Sequence, residues 1–262
     1  MRGELPGKQI EIKPTARSGV QLFDETELLY DKRHTCPVCR RDFMVKTLRN
    51  GKLRPDKLDM DMRQQYLNID PVKYRIIECP VCGYADMDIT FEKINQREID
   101  ALKSKCIKLY NSVPVTEGVR EYDIAYRYYK SAIRCDLIRG AKSGKRAYTA
   151  LYTAWLLRGW RESTVAAGDE IHQSDPMSEA EELKLLKYVY GNFQEAVLHE
   201  EFPINGLPEE VFDIIMAAIA YKLDNGAEAG QYILRAIRNT NLKGALRRHA
   251  EDLRDMIKGS EK

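Results

Sequence analysis

The sequence predicts an α+β protein in two parts, a small β-rich segment followed by a longer all-α one, and three observations carry the prediction. Two Cys-x2-Cys pairs lie in the first third of the chain. The residues around them favour strands, and after Phe91 the pattern turns to helical periodicity and keeps it. At 262 residues the chain has room for one large domain or two modest ones. The expected division is residues 1–28 as an extended or disordered arm, 29–93 as the cysteine-bearing domain and 94–262 as the helical domain.

The arm holds Pro6, Pro14 and Gly19 and shows no periodicity. Its start, MRGELPGKQIEIKP, has no apolar stretch behind Arg2, which argues against a secretory signal. The most apolar windows, Ala147 to Leu157 and Val211 to Tyr221, are interrupted by Thr, Tyr or Asp. They fall short of the roughly 20 residues a membrane span requires. A cytoplasmic location with no membrane partner is therefore expected. The formal net charge of +2 argues against a globally basic nucleic-acid wrapper.

In the second segment the cysteine pattern is Cys36-Pro37-Val38-Cys39 and then Cys79-Pro80-Val81-Cys82. Two residues between sulfurs let a tight turn bring both thiolates to one cation while backbone N–H groups point at them. Two such turns make a tetrahedral site, so Cys36, Cys39, Cys79 and Cys82 are the candidate metal ligands of a small zinc ribbon with rubredoxin-like knuckles. A disulfide reading is disfavoured in a reducing compartment. Four thiolates suit Zn2+, the commoner occupant, and also a mononuclear iron of the rubredoxin kind. They leave no coordination position for water or substrate, which points to a structural ion and away from an enzyme. Between the knuckles, Phe43 to Leu48 reads as a strand, Asn50-Gly51 as a two-residue hairpin turn into Lys52 to Arg54, and Val72 to Glu78 as a further strand.

The helical part holds seven candidate helices: Gln96 to Tyr110, Gly118 to Arg139, Ser143 to Glu162, Ser178 to Glu201, Pro208 to Asp224, Ala227 to Thr240 and Leu242 to Ile257. Ser178 with Glu181 forms a capping box, and Gly140 suits a helix C-terminus. Ala217, Ala229, Ile233 and Ala236 follow the small-small-large-small order of a tetratricopeptide repeat, although Asp213 stands at its large aromatic position and Asn241 at its terminal proline. The fold class is thus a zinc ribbon followed by an all-α tetratricopeptide-like domain. In such an arrangement the inner helices face a groove, and Trp155, Arg158, Tyr221 and Lys222 fall on that face as candidate contacts for a partner peptide, the plainer alternative being that Trp155 fills the helical core.

Taken together, Leu29-Tyr30-Asp31-Lys32, Tyr66, Asp70-Pro71, Tyr74, the run Glu78 to Ala85 and Ala154-Trp155-Leu156-Leu157-Arg158 resemble a bacterial family called domain of unknown function 2225, over residues 28 to 240. The resemblance implies a paired-cysteine metal site followed by tetratricopeptide-like helices in a bacterial cytoplasmic protein, and implies no activity. Family members often carry Gly after the second cysteine of the first knuckle, where this chain has Arg40. Gly permits the positive φ such a turn uses, so Arg40 bears on the geometry of the first knuckle and not on its ligands.

Residues 32 to 57 carry nine Lys and Arg against Asp42 and Asp56, a local charge of +7. Arg40, Arg41, Lys46, Arg49, Lys52 and Arg54 form a candidate nucleic-acid patch. The plainer reading is that these cations offset the formal charge of about −2 on a four-thiolate zinc centre. His34 lies two residues before Cys36 and reads as a neighbour of the site and not a ligand; Cys106 and Cys135 read as packed hydrophobes. Asp59, Asp61, Asp86 and Asp88 read as solvated carboxylates. The expected function is a non-enzymatic zinc-binding scaffold or adaptor with an unidentified protein partner on its helices and no evident small-molecule substrate. A nucleic-acid-associated factor and an iron electron carrier are the alternatives.

Overall fold

The computed structural model describes residues 24–105 and 118–259; Cys106 and the first 23 residues of the expected arm lie outside them. Residues 24–28, also assigned to the arm, form a 3-10 turn (Glu25–Leu28) that buries Leu28. Three two-stranded antiparallel hairpins follow: β1 (Leu29–Thr35) with β2 (Asp42–Leu48), β3 (Pro55–Leu58) with β4 (Gln64–Tyr66), and β5 (Ile76–Glu78) with β6 (Ala85–Met87). Among the described residues seven helices then run as α1 (Gln96–Lys105), α2 (Tyr122–Ile138), α3 (Ser143–Ala166), α4 (Glu179–His199), α5 (Glu209–Lys222), α6 (Gly226–Arg238) and α7 (Gly244–Gly259). This is the expected α+β class, a cysteine-bearing set of small sheets and then helices.

The first and third hairpins have the same design. Leu29 to Thr35 pairs in continuous register with Leu48 to Asp42, and Ile76 to Glu78 with Met87 to Ala85. In each case the loop joining the strands is a cysteine knuckle. Asn50-Gly51 makes no hairpin turn, contrary to expectation: it sits in a 3-10 turn (Asn50–Lys52), because β2 is already paired with the strand before it.

Helix α3 is the centre of the helical part. Its small and apolar residues, Ala147, Ala150, Leu151, Ala154, Leu156 and Leu157, are buried around much of its circumference, as a helix packed on several sides requires. Gly159 leaves room where Asp70, Arg63 and Tyr122 crowd its surface; a Cβ there would collide with them. Ser178 caps α4, its side chain accepting the Glu181 N–H at 3.4 Å. The β-rich and helical parts share their cores. Val72, Ile76, Ala85 and Met87 pack in one cluster with Ala125, Tyr129, Leu151, Trp155, Phe193 and Phe212. A second cluster joins the knuckle cysteines to Leu102 of α1 and Cys135 of α2. No described helix is long and apolar enough to cross a membrane.

Candidate metal centre

Each knuckle is closed by the same two backbone bonds. The Cys36 N–H donates to Arg41 O at 2.9 Å and the Arg40 N–H to Cys36 O at 2.9 Å; in the second knuckle the Cys79 N–H donates to Tyr84 O at 2.8 Å and the Gly83 N–H to Cys79 O at 2.9 Å. Arg40 takes φ 62° and Gly83 takes φ 72°. The two knuckles therefore share one geometry: Arg40 adopts the left-handed conformation that Gly accepts without penalty, at a cost of about 1–2 kcal/mol for a side-chain-bearing residue.

The two hairpin tips meet with their sulfurs together. All four Sγ atoms lie within 4.8 Å of one another, with Cys36 to Cys82 and Cys39 to Cys79 each at 3.6 Å. A tetrahedron with metal–sulfur bonds near 2.3 Å has edges of about 3.8 Å, so the donor set fits a four-thiolate ion. The separations are well beyond the roughly 2.05 Å of a disulfide. Cys36, Cys79 and Cys82 are buried and Cys39 is half-buried. The Cys79 thiol is pulled down to about 2 by Cys36 and Cys82, with the Val81 and Cys82 N–H groups adding to the effect. The Cys36 thiol is pushed up to about 12 by its bond to Cys79, and Cys82 is raised further by Cys36 and Cys79. A divalent cation held here would take the place of the protons on those thiols.

Around the second knuckle the helices supply a buried polar shell. Cys135 of α2 accepts the Ala85 N–H at 3.5 Å and lies 3.8 Å from Gly83 O. The Tyr84 hydroxyl donates to Phe91 O at 3.1 Å and to Asp86 at 3.3 Å. Asp86 in turn holds Lys145 at 2.5 Å and Arg139 at 3.0 Å, and Arg139 also pairs with Asp136. Burial pushes the Asp86 carboxyl up, but Lys145 and Arg139 outweigh it and keep it below the ordinary carboxylate value. Burial dominates at Asp136, whose pKa is raised. His34 is buried between Phe43 and Phe91, with Nδ1 at 3.4 Å from Glu92. Burial, aided by Lys32, lowers its pKa against the pull of Glu92, and it stands outside the four-sulfur group.

The other expected site residues are placed differently. Trp155 and Arg158 line no open groove: both are buried. The loop between β3 and β4 fills the space. Its Asp61 accepts from Arg158 at 2.5 Å and 2.9 Å, and Asp59 from Arg158 at 3.2 Å. Glu182 of α4 gathers Arg158 at 2.7 Å and Lys222 at 3.0 Å, together with Arg161. Met60 and Met62 of the same loop pack on the α5 to α7 core, and Tyr221 is half-buried beside it. Asp61 and Asp86 are thus buried ion-pair partners and not solvated carboxylates. Asp88 is exposed and pairs with Arg75 at 3.1 Å. Alternation of acid and apolar residues in Leu58-Asp59-Met60-Asp61-Met62 reads the same for a wet face or a paired one, so it carried no signal of burial.

Five of the six basic residues fall into two groups. Arg40 and Arg41 sit at the first knuckle, while Arg49, Lys52 and Arg54 lie beyond the other end of β2, about 20 Å of strand away. Between them Lys46 is held by Asp31 at 3.0 Å, and Arg49 lies over the Tyr30 ring at 5.3 Å.

Fold and site together define a mixed α+β protein in which two hairpin tips converge on a four-cysteine centre. The chain belongs to the bacterial family described as an uncharacterised protein conserved in bacteria (DUF2225), whose model matches residues 29–258. No curated protein and no solved structure matches it.

Proposed function

We propose that the protein is a non-enzymatic zinc protein of the bacterial cytoplasm, in which a metal-stapled pair of hairpins braces a helical body that binds another protein. The observation that carries this reading is the sulfur cluster. Four donors at tetrahedral spacing complete the coordination of one ion and leave no position for substrate, so the ion's work is to join the hairpin tips. Zinc is preferred to iron as the commoner ion at such sites. Support for a tetratricopeptide-like body comes from α5 and α6, where Ala217, Ala229, Ile233 and Ala236 are buried together. The groove first expected is occupied by the chain's own loop, so the partner surface is assigned elsewhere. Val197 and Leu198, the latter 73% exposed, put apolar surface on the outer side of α4.

Elemental analysis of the purified protein should give one zinc per chain and a colourless solution; a red protein with iron would replace zinc by the electron-carrier reading. A pull-down from native cells should retain its partner after nuclease treatment and lose it in Leu198→Glu, with the melting temperature unchanged. Loss on nuclease treatment would move the protein to the nucleic-acid-associated class.

A further inference from the structure

We propose that Cys39 is the oxidant-sensitive sulfur of the centre, and that its oxidation product is a disulfide to Cys79 across the two knuckles and not to Cys36 within its own. The proposal rests on the metal-centre reading and adds a modification site to it. Three observations lead there. Cys39 is half-buried, whereas Cys36, Cys79 and Cys82 are at most 2% exposed, so an oxidant in solution meets Cys39 first. Cys39 is followed directly by Arg40 and Arg41, both exposed and in no ion pair among the described residues; a partly exposed, electropositive surrounding marks a reactive thiolate. The Cys79 sulfur stands 3.6 Å away on the opposite knuckle, and the remaining pair, Cys36 and Cys82, stands at the same distance. Both of these contacts cross from one knuckle to the other.

The chemistry balances with hydrogen peroxide as oxidant. The Cys39 thiolate attacks one peroxide oxygen and becomes a sulfenic acid as the O–O bond breaks, and the other oxygen leaves as water after protonation. The Cys79 thiolate then attacks the Cys39 sulfur and forms the S–S bond, and the sulfenic oxygen leaves as a second water. Two electrons pass from the two sulfurs to the peroxide, and an ion deprived of two of its four ligands dissociates. The new covalent link takes over the ion's task, so the two tips remain joined while the metal is released.

The test uses the full chain as purified, titrated with hydrogen peroxide in the presence of a chromophoric chelator. Samples are quenched with an alkylating agent and mapped by mass spectrometry. The first disulfide should be Cys39–Cys79, appearing in step with metal release, with Cys135 still a thiol. Replacing both cations in Arg40→Gln with Arg41→Gln should slow release by about fivefold, the size of a single exposed charge effect near 1 kcal/mol, while the double Lys variant keeps the native rate. A first disulfide within either knuckle, or a native rate in the Gln variant, would overturn the proposal. Protein that holds no metal as purified would refute the metal-centre reading; the disulfide map of that same sample still decides this one.

Discussion

The two knuckles share the sequence Cys-Pro-Val-Cys and the same pair of closing hydrogen bonds, but their surroundings are opposite. In the first, Val38 is buried while Arg40 and Arg41 are exposed. In the second, Val81 is exposed while Gly83 and Tyr84 are buried under α2 and the Asp86 ion pairs. Local sequence thus sets the ligand geometry, and tertiary packing sets how firmly each tip is held. The second knuckle has helices behind it, whereas the first would depend more on an ion that ties it to its twin.

Removing the metal should produce the largest effect and separate the two tips. A structural zinc ion contributes on the order of 10–16 kcal/mol of apparent binding free energy, as much as the roughly 5–15 kcal/mol of a whole domain. On chelation, or in Cys36→Ser with Cys79→Ser, near-UV circular dichroism of the β-rich part should collapse. Hydrogen exchange after chelation should deprotect the amides of Cys36 and Arg40 first. Those of Ala85 and Met87 should follow later, because Cys135 and Asp86 still hold them. Equal deprotection of both tips would break the comparison.

A smaller effect should come from the residue after each positive-φ position. Arg41 and Tyr84 are equivalent in the two hairpins, since each offers its carbonyl to the first cysteine. Tyr84→Ala empties a fully buried aromatic site and should cost about 3–5 kcal/mol. Arg41→Ala changes an exposed side chain and should stay within about 0.5 kcal/mol. Denaturant midpoints at fixed free metal would measure both, and equal costs would show that the helices do not single out the second tip.

What could be read from the chain and what could not divides along the same line. Helices were legible because their signals are local. Ser143 to Glu162 was expected where Ser143–Ala166 is found, and Pro208 to Asp224 where Glu209–Lys222 is found. The four ligands were legible for the same reason, two residues apart in each pair. The Asn50-Gly51 signal marks where a chain can turn, not which strand it will meet, and β2 had already found its partner behind it. Arg158 was expected to face a groove because its own helix says nothing of the loop that fills it; Asp61 arrives from 97 residues earlier in the chain. Burial of that acid is a tertiary fact, balanced by cations from two helices, Arg158 of α3 and Lys222 of α5.

The smallest effect offers the finest test of the comparison, because it turns on Arg40 alone. Its left-handed backbone costs about 1–2 kcal/mol, and Gly in its place would bring back about 0.5–1 kcal/mol of unfolded-chain freedom. Arg40→Gly should therefore stabilise the protein by about 0.5–1 kcal/mol, a rise of about 1–3 °C in melting temperature. Because the metal binds only the folded knuckle, the same change should tighten metal affinity about two- to fivefold. Gly83→Ala imposes the strain on the other knuckle and should cost about 1–2 kcal/mol. If Arg40→Gly instead weakens metal binding, the guanidinium's attraction to a centre of formal charge about −2 outweighs the strain. That result would give the first knuckle an electrostatic support that the second obtains from packing, and would explain why a side chain is tolerated where Gly is cheaper for the backbone.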